Sequence, residues 1–367
     1  MADISPDRPA GDVPFDEIFD MDAAPSVELP PGPVIVAVAR DEMLRLPDYL
    51  RHHRGIGVRH FLIVDNASTD GTGAYLDAQP DVTRFFSERH FPTFKPLFRP
   101  WLADTHAVGR WVLAPDLDEH LVYPGWPDRR LDALLAHWEG EGCDAVFAPM
   151  VDMYSDRPLS RIEHGPEARL AQVYSHFDAE GYWLAPPKPR SMKRSPTPPA
   201  MLFGGARDRF ARTAEPDIRD RMTRAVVRRF MDHRNPAHPR RGAWLLHRHF
   251  MLRRFKRGPR SKVPLIRWRR GLRYPASNHR VNAALKLAPD WIALLHFRLM
   301  VDHVEKEAAW DVRNRRASDA RLSRHAALAR SDLMWEGSRR FTGWRDLEEA
   351  GLVRVSDALG AALGLSG

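Results

Sequence analysis

The tetrapeptide Asp116-Leu117-Asp118-Glu119 concentrates three carboxylates within four positions. In an extended segment alternate side chains share one face, so Asp116 and Asp118 are expected to point the same way with Leu117 turned into the core. Two carboxylates that converge repel each other, and a divalent cation with oxygen ligands relieves that repulsion. Such a cation keeps open positions for phosphate oxygens and can neutralise charge on a departing diphosphate. A second polar cluster, DNASTDGT at 65–72, follows an apolar run. Asp65, at the tip of that run, is placed to accept hydrogen bonds from a base or ribose, while Ser68, Thr69 and Asp70 suit a turn and a helix cap.

Alternating strands and helices must position these clusters. VIVAVA (34–39) and HFLIV (60–64) have the unbroken apolar character of strands buried on both faces. Met43, Leu46 and Leu50 have helical spacing, and Gly55 and Gly57 end that helix. Thr72–Ala78 predicts a short helix, 82–86 a strand, Pro96–Val108 a helix, and 110–122 a strand running into the carboxylates. Leu131, Leu134, Leu135 and Trp138 mark an amphipathic helix before a strand at 144–151. The alternation predicts an α/β fold with a mostly parallel sheet, in which ligands bind at the carboxyl ends of strands. Both polar clusters fall there.

Around this core, residues 1–32 are acidic and proline-punctuated and predict a disordered leader. The basic, proline-rich stretch PPKPRSMKRSPTPP (186–199) predicts an extended loop, and 301–367 a mainly helical C-terminal extension. The opening lacks the pattern of a secretory signal, no run suits a bilayer span, and Cys143 is the sole cysteine, so a cytoplasmic location is expected. The net charge of +8 suits an anionic acceptor or peripheral attachment to a membrane.

The segment VAVARDEMLRLPDYLRHHRGIGVRHFLIVDNASTDGT, followed by GRWVLAPDLDEHLVYP, resembles glycosyltransferase family 2. Weaker similarity continues through VDMYSD (151–156), GGARDRF (204–210), SKVPLIRW (261–268) and LLHFRL (294–299). The resemblance implies a GT-A sandwich over residues 33–300, with a nucleotide-binding half at 33–124 and an acceptor half at 125–300. It implies that Asp65 contacts the donor's base, that Arg40 lies beside the nucleotide, and that Asp116 and Asp118 belong to the metal motif, Asp118 as the direct ligand. Asp41 stands where the family usually has Asn. A late histidine often completes the metal site in such enzymes; His296 is the first candidate and His279 the second, while His247 and His249 read as structural.

The implied activity is transfer of a sugar from a nucleotide diphosphate, a UDP-sugar by family analogy, to a glycan, lipid-linked or protein acceptor, assisted by Mn²⁺ or Mg²⁺. Inverting transfer needs a carboxylate base, for which Asp152, Asp156 and Asp208 are candidates. Arg207 and Arg209 suit diphosphate as forked donors. Three other readings stay open: a sugar-phosphate nucleotidyltransferase, a nucleic-acid-binding protein and a non-catalytic carbohydrate binder. The first wants a glycine-rich loop where ARDEMLRLP stands, and intact Asp65, Asp116 and Asp118 count against the last. Docking of a phosphate backbone is disfavoured by the acidic pair, so no nucleic-acid partner is expected.

Overall fold

The computed structural model describes residues 8–185, 189–210, 258–313 and 318–365. Fourteen strands lie among them. They are β1 (Val34–Ala39), β2 (His60–Asp65), β3 (Val82–Phe86), β4 (Trp111–Leu113), β5 (Glu119–Val122), β6 (Ala145–Asp152) and β7 (His176–Asp178). The rest are β8 (Tyr182–Ala185), β9 (Met201–Gly204), β10 (Ser261–Arg267), β11 (Pro275–Asn278), β12 (Leu287–Trp291), β13 (Ala293–His296) and β14 (Ser338–Arg340).

The central sheet runs β3-β2-β1-β4-β10-β6-β13-β5, with β12 added on β6. Strands β3, β2, β1 and β4 are mutually parallel, and β10 enters antiparallel between β4 and β6. The result is a mixed α/β fold with a curled, mostly parallel sheet. Strand β1 explains its own composition. Ile35, Ala37 and Ala39 join one buried cluster with Tyr49, Leu50 and Trp138, while Val34 and Val36 join another with Phe98 and Trp101. Helices cover both faces, so neither set of alternate side chains can be polar.

Several sequence expectations change. Residues 8–32 are packed rather than a disordered leader. Val13, Ile18 and Phe19 are buried against Phe85, Phe98 and Trp101. Their polar groups are also answered: Trp101 Nε1 donates to the Val13 carbonyl at 2.9 Å and Ser87 Oγ to that of Ile18 at 2.7 Å. The average acidity of the segment concealed a few well-spaced apolar anchors. The stretch expected as one strand at 110–122 is two strands joined by a turn, because Pro115 has no N–H with which to continue the ladder. The helix expected from Pro96 begins at Phe91, with Pro92 in its first turn and Pro96 and Pro100 inside it. Pro189–Arg194, in the stretch expected to be extended, is a short helix.

The C-terminal part carries helices at His303–Arg313, Asp319–Arg330, Trp344–Glu349 and Asp357–Leu363. Leu333, Trp344, Leu347 and Leu352 are buried with Val151, Leu295 and Phe297, so it shares the core of the strands that carry the site. Among the described residues no helix is long and apolar enough to cross a membrane.

Candidate active site

A cleft of about 690 Å³ opens at the carboxyl ends of β1 and β4. Its walls include Arg40–Glu42 after β1, Asn66 after β2, Phe91 and Lys95 of the helix Phe91–His106, Asp116–Asp118, and the helix His303–Arg313.

The two polar clusters reach this edge differently. After β2 the chain folds on itself. Asp65 is buried; its Oδ1 accepts from the Ser68 N–H at 3.0 Å, and Arg84 Nη1 lies 3.4 Å from Oδ2. A Cβ at residue 73 would stand 2.8 Å from Asp65 Oδ2, so Gly73 is what lets the next helix start against this carboxylate. Asp65 is not among the residues lining the cleft; its neighbour Asn66 is. Asp41 is also drawn into this loop, accepting from the Thr69 N–H at 2.7 Å, and Asp70 Oδ2 accepts from the Met43 N–H at 2.9 Å. Asp41 has φ 52°, a conformation that Asp and Asn tolerate better than most side chains, which suits either residue there.

The second cluster forms a tight turn in which the Glu119 N–H donates to the Asp116 carbonyl at 3.0 Å and Glu119 Oε2 accepts from the Asp116 N–H at 2.9 Å. Leu117 is buried as expected, but Asp116 and Asp118 have different partners. Asp116 meets Arg99 Nη2 at 2.5 Å and Lys262 Nζ at 2.5 Å. Burial would raise its carboxyl pKa, but Lys262, Arg99 and Lys95 outweigh this and hold it well below the usual range. Lys262 also meets Glu119 Oε1 at 2.6 Å. It sits beside a register irregularity in β10 that accommodates Pro264, as bulges do where a strand must take a proline.

Asp118 faces His296 Nε2 at 3.2 Å, and His296 Nδ1 lies 2.6 Å from Asp152 Oδ1. Strand register makes this meeting: on β13, His296 pairs with Glu119 of β5 on one side and Asp152 of β6 on the other. Asp152 is buried and also held by Arg207 Nη2 at 2.8 Å. Burial alone would raise its pKa; Arg207, His296 and Arg260 instead leave it far below the usual range.

Asp118, Glu119 and His296 can each offer a ligand atom, all within 4.8 Å of one another. The donor set fits a divalent cation. With its Nδ1 proton given to Asp152, a neutral His296 turns the Nε2 lone pair on the Asp118 carboxylate, an arrangement relieved by a proton or a metal between them. Burial would lower the imidazole pKa, but Asp118 and Asp152 outweigh it and raise it. Burial raises the Glu119 carboxyl, and the charges of Asp116 and Asp118 oppose its ionisation further. A carboxylate behind a ligating histidine is a common way of fixing the ring for a metal.

The other expected residues are distributed less simply. Arg40 lines the cleft, where it donates to the Asn66 carbonyl. Arg207 faces Asp152 and His296, whereas Arg209 turns away to clasp Asp178, at 3.0 and 2.8 Å. Asp208 is buried against Arg260 at 3.1 Å, and Asp156 is exposed. None of Asp152, Asp156 and Asp208 lines the cleft, and two of the three are committed to arginines. His279 Nδ1 donates to the Ser261 carbonyl at 2.7 Å, outside the metal-ligand cluster. Burial lowers its pKa to about 3. His247 and His249 lie outside the described residues.

Glu119, Arg99 and Lys262 were not anticipated as site residues. Glu119 had a signal, its place in the acidic tetrapeptide; the two cations had none, since they meet Asp116 only through the fold. No protein-family model and no curated protein matches the sequence.

Proposed function

We propose that the protein is a metal-assisted glycosyltransferase that moves a sugar from a nucleotide diphosphate to an acceptor, with a GT-A-type division between a donor side at β1–β4 and an acceptor side at β6–β13. The observation that carries the reading is the Asp118–His296–Asp152 chain with Glu119 alongside, at the edge of a strand-end cleft of nucleotide size. The acidic turn supports it too, because a site for an anionic diphosphate gains from carboxylates only if a cation lies between.

Asp118, Glu119 and His296 would hold a divalent cation, which supplies charge neutralisation for the departing nucleoside diphosphate. Asp152 fixes the His296 ring with Nε2 toward the cleft edge, and Arg207 holds Asp152 in place. Arg99 and Lys262 keep Asp116 ionised and fix the turn. The transfer proposed is inverting: the acceptor hydroxyl gives its proton to a carboxylate as it attacks the anomeric carbon. Asp156 is the base proposed among the three candidates, since its carboxylate alone is exposed and it follows Asp152 by four residues. The donor nucleotide is proposed as uridine by family analogy, the acceptor as a glycan, lipid-linked or protein hydroxyl, and the location as cytoplasmic or peripheral at a membrane.

The test is a panel of UDP-, GDP- and dTDP-sugars, assayed for hydrolysis or transfer with Mn²⁺ and with EDTA. Metal-dependent turnover of at least one donor is expected, lost in Asp118→Asn. Binding of glycans without turnover of any donor would support a non-catalytic carbohydrate binder instead.

A further inference from the structure

Among the described residues, six lysine and arginine side chains line the cleft. Five have carboxylate partners. Arg40 is on Asp41 at 3.3 Å, Arg45 on Asp302 at 2.6 Å, Arg89 on Asp20 at 3.5 Å, Lys306 on Glu42 at 2.5 Å, and Arg298 is paired with Glu307. The sixth, Lys95, has no carboxylate within ion-pair distance among the described residues. Its ammonium instead stands 5.4 Å from the centre of the Phe91 ring, which itself packs edge-on to Trp310 at 6.4 Å.

Local charge makes the same point. On the Asp116 side of the turn, among the described residues, Lys95, Arg99 and Lys262 gather around Asp116 and Glu119, and both carboxylates are already in contact with Lys262. A cation is left over where the cleft opens. Burial lowers the pKa of Lys95, so leaving it without an anion has a cost, which a ligand's negative charge would remove.

We infer that Lys95 is the cleft's ligand-binding cation, pairing with a phosphate oxygen of a nucleoside diphosphate on the Asp116 side of the turn. The inference rests on the nucleotide-sugar reading and adds to it an anion contact that is independent of metal. Lys95 lies in the first turns of the helix Phe91–His106, between the two segments whose motifs were quoted for the resemblance.

The test is calorimetric titration of the full chain with UDP, GDP, inorganic pyrophosphate and uridine, each in EDTA and in Mn²⁺. Lys95→Met keeps the aliphatic stem and should weaken diphosphate and pyrophosphate binding about 10- to 100-fold in both conditions, the range of a charge-assisted hydrogen bond. Uridine affinity should not change, and Lys95→Arg should restore most of the loss. Equal diphosphate affinity in wild type and Lys95→Met overturns the assignment while leaving the nucleotide reading intact. An equal loss for uridine, or a lowered melting temperature that Lys95→Arg shares, overturns it in favour of a structural role. If the wild type binds no nucleoside diphosphate in either condition, the function itself is wrong and Lys95 falls with it.

Discussion

The loops after β2 and β4 leave the same edge of the sheet, and both open with an aspartate at or just past the strand end. After β2, Asp65 turns inward to Ser68 and to Arg84 of the neighbouring strand, and Asp41 after β1 accepts from Thr69 of the same loop. After β4, the acidic residues are answered from far away, by Arg99, by Lys262 and by His296. One loop is tied to itself and to the ends of the adjacent strands β1 and β3, and the other depends on the helix Phe91–His106, β10 and β13. The same residue type past two parallel strands is therefore held by near neighbours in one place and by distant elements in the other.

The largest expected effect comes from stripping the support behind the second loop. Arg99 lies on the helix Phe91–His106, whose outer face is covered by residues 10–19. Deleting residues 1–31 exposes the surface that buries Ile18 and Phe19, each worth about 1.5–3 kcal/mol. A drop of several kcal/mol in unfolding free energy is expected by chemical denaturation. An unchanged midpoint would return the segment to the status of a disordered leader.

Next in size is Asp152→Ala. It leaves Arg207 facing His296 with no carboxylate between them, and loss of one partner from a buried ion pair costs about 3–5 kcal/mol. Urea unfolding measures it; a loss below about 1 kcal/mol would mean that Asp152 is not the anchor of this side of the site.

Asp65→Ala sharpens the contrast from the other loop. It removes the acceptor for the Ser68 N–H and should cost about 1–3 kcal/mol, with nucleotide affinity in the surviving folded protein little changed. Weakened nucleotide binding without loss of stability would restore the base-contacting role that the resemblance implies.

Of similar size per group is the effect of pH. His52 and His53 of the helix Leu46–Gly55 pack against His120 of β5, His52 at 4.5 Å between ring centroids. Burial is the first cause that lowers each pKa, to about 4 for His52 and well below the usual value for His53. The unfolded chain takes up protons near pH 6.5 while the folded one does not. Their stabilising contribution is therefore present above that pH and is lost as pH falls below it. Between pH 7 and 5 one such histidine removes about 2 kcal/mol. Denaturation at the two pH values, with His53→Gln for comparison, reads the slope; a flat profile would show these rings charged in the fold.

What the sequence made legible follows from this contrast. Strands β1 and β2, the amphipathic helix at 131–140 and the acidic turn were readable because apolar period and turn chemistry are local. The packed course of residues 8–32 was hidden because four anchors, Ala10, Val13, Ile18 and Phe19, are swamped by acidic and proline residues in any average. His296 was found by resemblance, but the reason it meets Asp118 is the pairing of β13 between β5 and β6, which no local pattern encodes. Lys262 and Arg99 were missed for the same reason: a cation's role depends on which carboxylate the fold brings to it. Asp152 was read as one of three base candidates because it follows a strand, and the fold buries it against Arg207, Arg260 and His296.

The central claim is that Asp118, Glu119 and His296 form a metal site. Mn²⁺ titration followed by electron paramagnetic resonance tests it most directly, on wild type, Asp118→Asn and His296→Gln with folding checked by circular dichroism. The account predicts one tightly bound Mn²⁺ in the wild type and at least about tenfold weaker binding in each variant, in line with the loss of a ligand or its support. Folded variants that bind Mn²⁺ as tightly as the wild type would contradict it.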